Sequence, residues 1–232
     1  GDGLPPMLRQ MLGAYAALPD DQLQAALAPH YTARFDAEYA WTVYGTGDVE
    51  LHLHVAPSEG LPQLPRIGVE LELPGVYDTF TWYGRGPHEA YADRKESARI
   101  GVYSGSVDEQ YVPYIMPEEN GNKIDVRWAA FTDADGAGLL AVGYPAHAPN
   151  LNVSAHHYTV ENLTEAKHTC ELVHRDEITV HLDYAQSGLG NGSCGPGVRP
   201  DYILKPEPVD FRLRLRPLAP GESPVAVSKA VI

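Results

Sequence analysis

Cysteine is scarce in this sequence of 232 residues. The two cysteines, Cys170 and Cys194, are too few for a disulfide framework, and neither belongs to a CxxC pair. No cysteine and histidine cluster has the spacing of a sequence-local zinc site. We therefore expect two free thiols, no metal site and no cofactor in this chain.

Basic side chains are also in the minority. The sequence has 17 lysines and arginines against 31 acidic residues, a formal net charge of −14. Such a charge repels phosphate backbones and anionic lipid headgroups, so we expect neither nucleic acid nor membrane as a partner. No apolar run approaches the roughly 20 residues of a membrane span, and the first residues lack the basic start of a signal peptide. We expect a cytoplasmic protein.

Helical periodicity is confined to the first thirty residues. Leu4, Met7, Leu8, Met11, Leu12 and Tyr15 recur at helical spacing. A second short helix is predicted after Pro19, where acidic residues come first. We interpret residues 1–30 as a helical lead-in.

From about Tyr31 onward the apolar period becomes two, which is typical of half-buried strands. The four clearest alternating segments are DVELHLHVA, RIGVELELPG, DEITVHLDYA and DFRLRLRPL. Five further strands are predicted in WTVYG, TFTWYG, DVRWAAFT, GLLAVGY and LNVSAHHYT, with one short helix after Tyr158. Residues 31–232 are thus predicted to form one all-β domain of nine or ten strands, with antiparallel sheets that each have one wet face.

The residues that could carry chemistry do not form a recognisable catalytic motif. Glu118 and Glu119 are adjacent carboxylates, which commonly form a solvated acidic rim. His52 and His54 share one strand face without an evident third metal ligand, whereas His156 and His157 should face opposite sides. Neither a GxSxG elbow nor a P-loop is found in the sequence. None of these patterns by itself identifies a catalytic residue.

A glycine-rich segment, QSGLGNGSCGPG at residues 186–197, directly follows a predicted strand. Glycine permits positive φ and lets the backbone approach a ligand closely, so such a loop can reach into a binding site. A plain surface hairpin has the same composition. The residues alone leave both interpretations open.

Four segments together resemble a known family. WYGRGPHEAYADR, YVPYIMPEENGNKIDVRW, LNVSAHHYTVENLTEAKH and HLDYAQSGLGNGSCGPGV are similar, in order and spacing, to the C-terminal small-chain domain of family 2 β-galactosidases. The resemblance covers roughly residues 31–217. It implies an antiparallel supersandwich, similar to the galactose mutarotase-like fold of the aldose 1-epimerases.

The resemblance also implies what the chain does. In the family, two glutamates in a separate (β/α) barrel hydrolyse terminal β-galactosides such as lactose with retention. The domain resembled here is non-catalytic, packs on that barrel and extends its glycine-rich loop over the active-site rim. By this resemblance Asn191, Ser193 and Cys194 are expected to lie near substrate. Cys194 stands where well-known members have a tryptophan, so a weaker or rearranged sugar contact is expected.

Two polar segments are expected, under the same resemblance, to brace the domain or the barrel. Their residues are Arg85, Glu89, Asp93, Arg94, Glu119 and Asn120. The resemblance further implies a homo-oligomeric parent enzyme, with any Mg and Na ions bound elsewhere in that enzyme. Two alternatives stay open, namely an aldose 1-epimerase-like enzyme that uses a glutamate and a histidine, and a simple sugar-binding module.

Overall fold

A computed structural model describes residues 33–144, 150–192 and 194–232. These residues form two antiparallel sheets that pack face to face. The predicted helical lead-in, residues 1–30, lies outside the described residues. Among the described residues, no helix has both the length and the apolar character required to span a membrane.

The larger sheet has seven strands in the order β1-β2-β11-β8-β7-β4-β5, and the smaller has four in the order β3-β10-β9-β6. Every pairing is antiparallel. The all-β prediction is confirmed. The strands are β1 Phe35–Val43, β2 Val49–Pro57, β3 Arg66–Leu73, β4 Thr79–Gly86, β5 Arg99–Ser106, β6 Lys123–Val126, β7 Trp128–Thr132, β8 Gly138–Gly143, β9 Leu151–His156, β10 Ile178–Gln186 and β11 Val209–Leu218.

The core lies between the two sheets and is built from the alternating apolar positions. Leu51 and Leu53 of β2 and Leu182 of β10 are at most 2% exposed. Phe80 stacks on Phe131 with ring centroids 4.8 Å apart, which fills the centre of the larger sheet's inner face. Period-two alternation therefore predicted the core-facing residues of these strands.

The prediction of one wet face is wrong for β10. Thr179, His181 and Asp183 alternate with the core residues, yet they are only 6%, 7% and 2% exposed. A strand in the middle of a covered sheet is buried on both faces, whatever its sequence pattern suggests. Among these side chains, Asp183 is paired with Arg66 of the neighbouring strand β3, as described below.

A similar exception lies on β11. The side chain of Arg214 is 4% exposed, and its Nε donates to Asp48 Oδ1 at 2.6 Å. The same guanidinium donates to the backbone oxygens of Ala230 and Val227, close to the short helix α2, Pro224–Ser228. The chain after β11 therefore covers a face of the sheet that alternation alone assigns to solvent.

Sequence reasoning missed the edge strand β5 and helix α2, and it merged β6 and β7, which belong to different sheets, into the single predicted strand DVRWAAFT. The predicted helix after Tyr158 is confirmed as α1, Val160–Glu165, with the Thr159 hydroxyl accepting the N–H of Asn162 at 3.1 Å. β5 was missed because its segment, RIGVYSGS, contains two glycines and two serines, which indicate a turn more than a strand.

Candidate functional site

The glycine-rich loop begins directly after β10 and is tied to the body at its base. The Ser187 hydroxyl donates to the Leu64 carbonyl at 2.7 Å and accepts the N–H of Leu204 at 2.8 Å. The N–H of Gly188 donates to the Tyr202 carbonyl at 2.8 Å. The beginning of the loop is therefore anchored both to the chain that precedes β3 and to the chain that precedes β11.

Asp93 supports the next part of the loop. Its carboxylate accepts the N–H of Leu189 at 3.2 Å and that of Gly190 at 2.8 Å. A Cβ on Gly188 would lie 2.6 Å from Asp93 Cγ, so the absent side chain permits this approach. Gly190 itself has φ +64°, in the region that favours glycine. The two glycines are thus required by the geometry of this contact.

The tip of the loop is a closed turn. The carbonyl of Asn191 accepts the N–H groups of Cys194 at 3.0 Å and Gly195 at 2.6 Å, and its own N–H donates to Pro196. Asn191 and Cys194 are both exposed. The structure thus places these two expected substrate-proximal residues together on one exposed turn, whereas Ser193 lies outside the described residues.

The segment that contains Asp93 is itself held in place by hydrogen bonds among its neighbouring side chains. Arg94 donates to Glu89 at 3.0 Å and to the Tyr114 hydroxyl at 3.0 Å, and that hydroxyl also contacts the Glu89 carboxylate. The second oxygen of Glu89 accepts the N–H of Gly121 at 2.8 Å. Charge-assisted hydrogen bonds of this kind hold the segment in one geometry.

The remaining residues expected to brace the domain also have partners within the chain. Arg85 donates to Asp125 at 2.7 Å and to the carbonyls of Lys95 and Ala98, both at 2.9 Å. The side chain of Asn120 accepts the N–H of Val112 at 3.0 Å. These contacts secure the two polar segments to each other and to the sheets.

A buried ion network lies beside this segment on β3 and β10. Arg66 pairs with Asp183 at 2.7 Å and with Glu119 at 3.1 Å. Burial raises the pKa of Asp183 to about 7, although the adjacent Arg66 opposes the rise. Burial, helped by the positive charge of Arg66, lowers the pKa of His181 to about 3, so this imidazole is neutral at physiological pH.

Glu119 and two histidines, His156 and His181, approach each other around a small cavity of about 70 Å³. Such a space holds about two water molecules and is well below the roughly 300 Å³ at which ligand pockets begin. His156 Nε2 contacts the Asn120 carbonyl at 2.9 Å, and burial lowers the pKa of His156. The cavity therefore has acid–base groups but no room for a hexose.

A larger cleft of about 480 Å³ opens between β1 and β3. Its walls are largely apolar, and its charged and polar side chains are Arg66, Glu70, Glu161, His181 and Asp183, of which Arg66 and Asp183 are already paired with each other. Beside it, one face of β1 exposes large apolar side chains. Phe35, Tyr39, Trp41 and Val43 are 47%, 55%, 53% and 74% exposed.

The two adjacent histidines are both buried. His156 and His157 contact different partners, in agreement with their opposite directions. Sequence reasoning missed the pairing of Arg66 with Asp183, because the two residues are 117 positions apart and no local pattern links them.

Known proteins are similar to this chain over most of its length. A family profile described as "Beta galactosidase small chain" matches residues 14–215. Proteins named β-galactosidase are similar to this chain in Priestia megaterium, at 39% identity over 71% of the chain and 16% of the relative, and in Arthrobacter sp., at 36% over 87% and 20%. The β-galactosidase of Kluyveromyces lactis is 36% identical over 66% of the chain and 14% of its own length.

The chain thus spans a fifth or less of the length of these relatives. The profile covers nearly all the strands described above, including the glycine-rich loop and its anchors. The chain belongs to the β-galactosidase small-chain family.

Proposed function

We propose that this chain is the non-catalytic C-terminal domain of a retaining β-galactosidase, and that its glycine-rich loop forms part of the active-site rim. The observation that carries the proposal is the anchored loop, whose base is held by Asp93 and whose exposed tip presents Asn191 and Cys194. A rim loop must keep one position to contribute to a binding site, since ordering it on binding would cost affinity.

The substrate is a terminal β-D-galactoside such as lactose, and the two catalytic glutamates belong to a barrel in another part of a longer protein. The printed names of the relatives, and the small share of their length that this chain covers, support the assignment. Alone, the chain has no hydrolytic activity. Asn191 and Ser193 supply polar contacts to the sugar, and Cys194 lines the rim with a small thiol in place of an aromatic stacking surface.

The apolar face of β1 supports the view that other parts of the longer protein pack on this domain. Tyr39 and Trp41 together expose more apolar surface than scattered single residues do, and contiguous exposed apolar patches mark interaction sites. The longer enzyme is proposed to be a cytoplasmic homo-oligomer whose metal ions, where it uses them, are bound outside this domain.

The first test compares the isolated chain with the longer protein, using a nitrophenyl β-galactoside as substrate. The isolated chain should release no nitrophenol above the buffer rate. In the longer protein, Asn191→Ala should lower kcat/KM about tenfold, the effect of losing one sugar hydrogen bond. Asp201→Ala, an exposed residue whose side chain pairs with Arg199, is the matched control and should leave kcat/KM unchanged. Turnover by the isolated chain would contradict the proposal.

The cleft of about 480 Å³ is the specific observation that favours the alternative of a self-sufficient epimerase-like enzyme or sugar-binding module. Polarimetry of α-galactose with catalytic amounts of the chain tests the enzyme, and titration calorimetry with galactose and lactose tests the module. We expect no acceleration of mutarotation and no affinity tighter than about millimolar, because half a site lacks most of the sugar contacts. Acceleration, or micromolar binding lost in His181→Ala, would establish the alternative.

A further inference from the structure

Four polar side chains meet at one end of the sandwich, on the side of the molecule formed by the beginning of β4 and the end of β9. Asp78 precedes β4, Asp108 follows β5, His157 follows β9, and His174 lies in the connection to β10. One ligand atom from each of Asp108, His157 and His174 lies within 4.8 Å of the others. Asp78 adds a second carboxylate at 3.3 Å from His157.

The hydrogen bonds of His157 determine which of its nitrogens is free. Nδ1 lies 3.0 Å from the Arg175 carbonyl oxygen, which can only accept, so Nδ1 carries the proton. Nε2 then has a lone pair, yet it faces Asp78 Oδ1 at 3.3 Å. This carboxylate oxygen is also an acceptor, and it already receives the N–H of Val107 at 3.1 Å. In the neutral imidazole two acceptors thus face each other, an arrangement that a bound metal ion resolves, as would a second proton on the ring.

His157 is buried, with 6% of its surface exposed, whereas the side chain of Asp78 that it faces is 47% exposed. A backbone carbonyl bound to Nδ1–H is the usual second contact of a metal-binding histidine, because it fixes the tautomer and the ring orientation. His157 therefore has the protonation state and orientation of a metal ligand.

His174 completes the arrangement from the exposed side. Its ring stacks on that of His157 with centroids 4.5 Å apart, and its Nε2 lies 3.2 Å from Asp108 Oδ1 and 3.3 Å from Asp108 Oδ2. The cluster of Asp78, Asp108, His157 and His174 therefore brings two carboxylates next to two imidazoles, a set of side chains that attracts a divalent cation.

We propose that His157, His174 and Asp108, with Asp78 as the fourth ligand, form a binding site for a zinc-like divalent metal ion. Nitrogen and carboxylate ligands in fourfold coordination suit Zn²⁺. Tetrahedral zinc places neighbouring ligand atoms about 3.4 Å apart, so ligand atoms that are at most 4.8 Å apart need only a small inward movement. The side chains of His174 and Asp108 are 51% and 60% exposed and are free to make it.

The site goes beyond the proposed galactosidase role and has a structural consequence. The four residues come from four separate connections, at sequence distances that no zinc motif contains. An ion bound here ties the two sheets together at one end and stabilises the folded state by mass action.

The test uses the metal-free full chain without a histidine tag, titrated with zinc chloride in a calorimeter. We expect about one equivalent of zinc to bind, with a melting temperature that rises as zinc is added. His174→Ala and Asp108→Asn, at exposed positions that preserve the fold, should each weaken binding about tenfold or more. His168→Ala is the matched control, because His168 pairs with Glu171 at 2.9 Å in a separate exposed pair, and its affinity should be unchanged.

X-ray absorption of the zinc-loaded chain should detect two imidazole ligands, falling to one in His174→Ala. The proposal is overturned if the metal-free chain shows no saturable zinc binding, since protonation of His157 would then resolve the facing acceptors. It is equally overturned if His174→Ala and Asp108→Asn bind zinc as tightly as the unaltered chain, or if His168→Ala weakens binding to the same extent.

Discussion

The carboxylate of Asp93 accepts the backbone N–H of Gly190 at 2.8 Å, although 97 residues separate the two in the sequence. This hydrogen bond and the one that the N–H of Leu189 donates to Asp93 connect the glycine-rich loop to the segment that contains Glu89 and Arg94. Because the backbone hydrogen bonds of the described tip residues lie within the loop itself, the position of Asn191 and Cys194 depends on Asp93.

Replacing Asp93 with alanine should therefore loosen the loop without unfolding the domain. Two charge-assisted hydrogen bonds are lost, with a local cost of about 1.5 kcal/mol. The amides of Leu189 and Gly190 should exchange with solvent about tenfold faster by hydrogen-exchange NMR. Asp201→Ala, which removes an exposed carboxylate paired with Arg199, is the control. Unchanged exchange in Asp93→Ala would show that other contacts hold the loop.

Replacement by alanine should destabilise the protein at one glycine of this loop and have little effect at another. At Gly190, φ is +64° and a new Cβ would lie 2.6 Å from the backbone nitrogen of Val198, so Gly190→Ala should cost about 2 kcal/mol of unfolding free energy. At Gly192 a Cβ meets nothing within 4 Å, so Gly192→Ala should be nearly neutral. Urea denaturation of both variants measures the difference, and equal stabilities would contradict it.

The buried pair of Asp48 and Arg214 should contribute strongly to stability. Asp48→Asn leaves the guanidinium of Arg214 buried without its charged partner, so the free energy of unfolding should fall by about 3 kcal/mol. Asp36→Asn breaks the exposed pair with Arg34 and should cost about 0.5 kcal/mol or less. Urea denaturation at pH 7 compares the two variants.

The pair of Asp48 and Arg214 should also make the free energy of unfolding depend on pH in the acid range. Burial would raise the pKa of Asp48, but hydrogen bonds from Thr46 and Arg214 outweigh it and hold the pKa below the usual 3.8. The stabilisation is therefore complete above about pH 4 and is lost as the pH falls through the folded-state pKa. The stability difference between the unaltered chain and Asp48→Asn should shrink below pH 4, and a constant difference would contradict the assignment.

Lys123 should make stability increase at alkaline pH. Its side chain lies over the Trp82 ring at 4.9 Å, and burial lowers its pKa to about 8, although the charge of Glu89 opposes the fall. Between pH 8 and the unfolded-state pKa near 10.4, the folded chain binds fewer protons than the unfolded chain, so stability rises with pH.

The expected rise is about 1.5 kcal/mol from pH 8 to pH 9.5, relative to Lys123→Met, which cannot titrate. Chemical denaturation of both proteins across this range measures it. Lys205→Met, a change at an exposed lysine, serves as the control and should follow the unaltered chain. Parallel curves for the unaltered chain and Lys123→Met would contradict the prediction.

The exposed apolar face of β1 should cause self-association of the isolated chain. Replacing Tyr39 and Trp41 together with serine should shift the sedimentation-velocity distribution toward monomer, because the apolar area available for contact decreases. Ile115→Ser removes another exposed apolar side chain, 97% exposed, away from this face and should leave association unchanged. A monomer at all concentrations in the unaltered chain would contradict the prediction.

The sequence alone was enough to predict the all-β architecture and most of the core. Alternation assigned Leu51, Leu53 and Leu182 to the interior because side chains of a strand point to opposite faces in turn. The motifs around Asp93 and Asn191 indicated the family, whereas the glycines of segment 186–197 and its place after a strand left a plain surface hairpin open as the alternative to a binding loop.

Only the tertiary structure decided which polar residues meet. Asp93 with Gly190, Arg66 with Asp183 and Asp48 with Arg214 are each about 100 residues or more apart, and no local pattern encodes such pairs. Alternation also could not show that β10 is covered on both faces, because burial depends on what packs above a strand. Local sequence determines which face of a strand is apolar, whereas the packing of distant segments determines which polar groups are buried and with what partners.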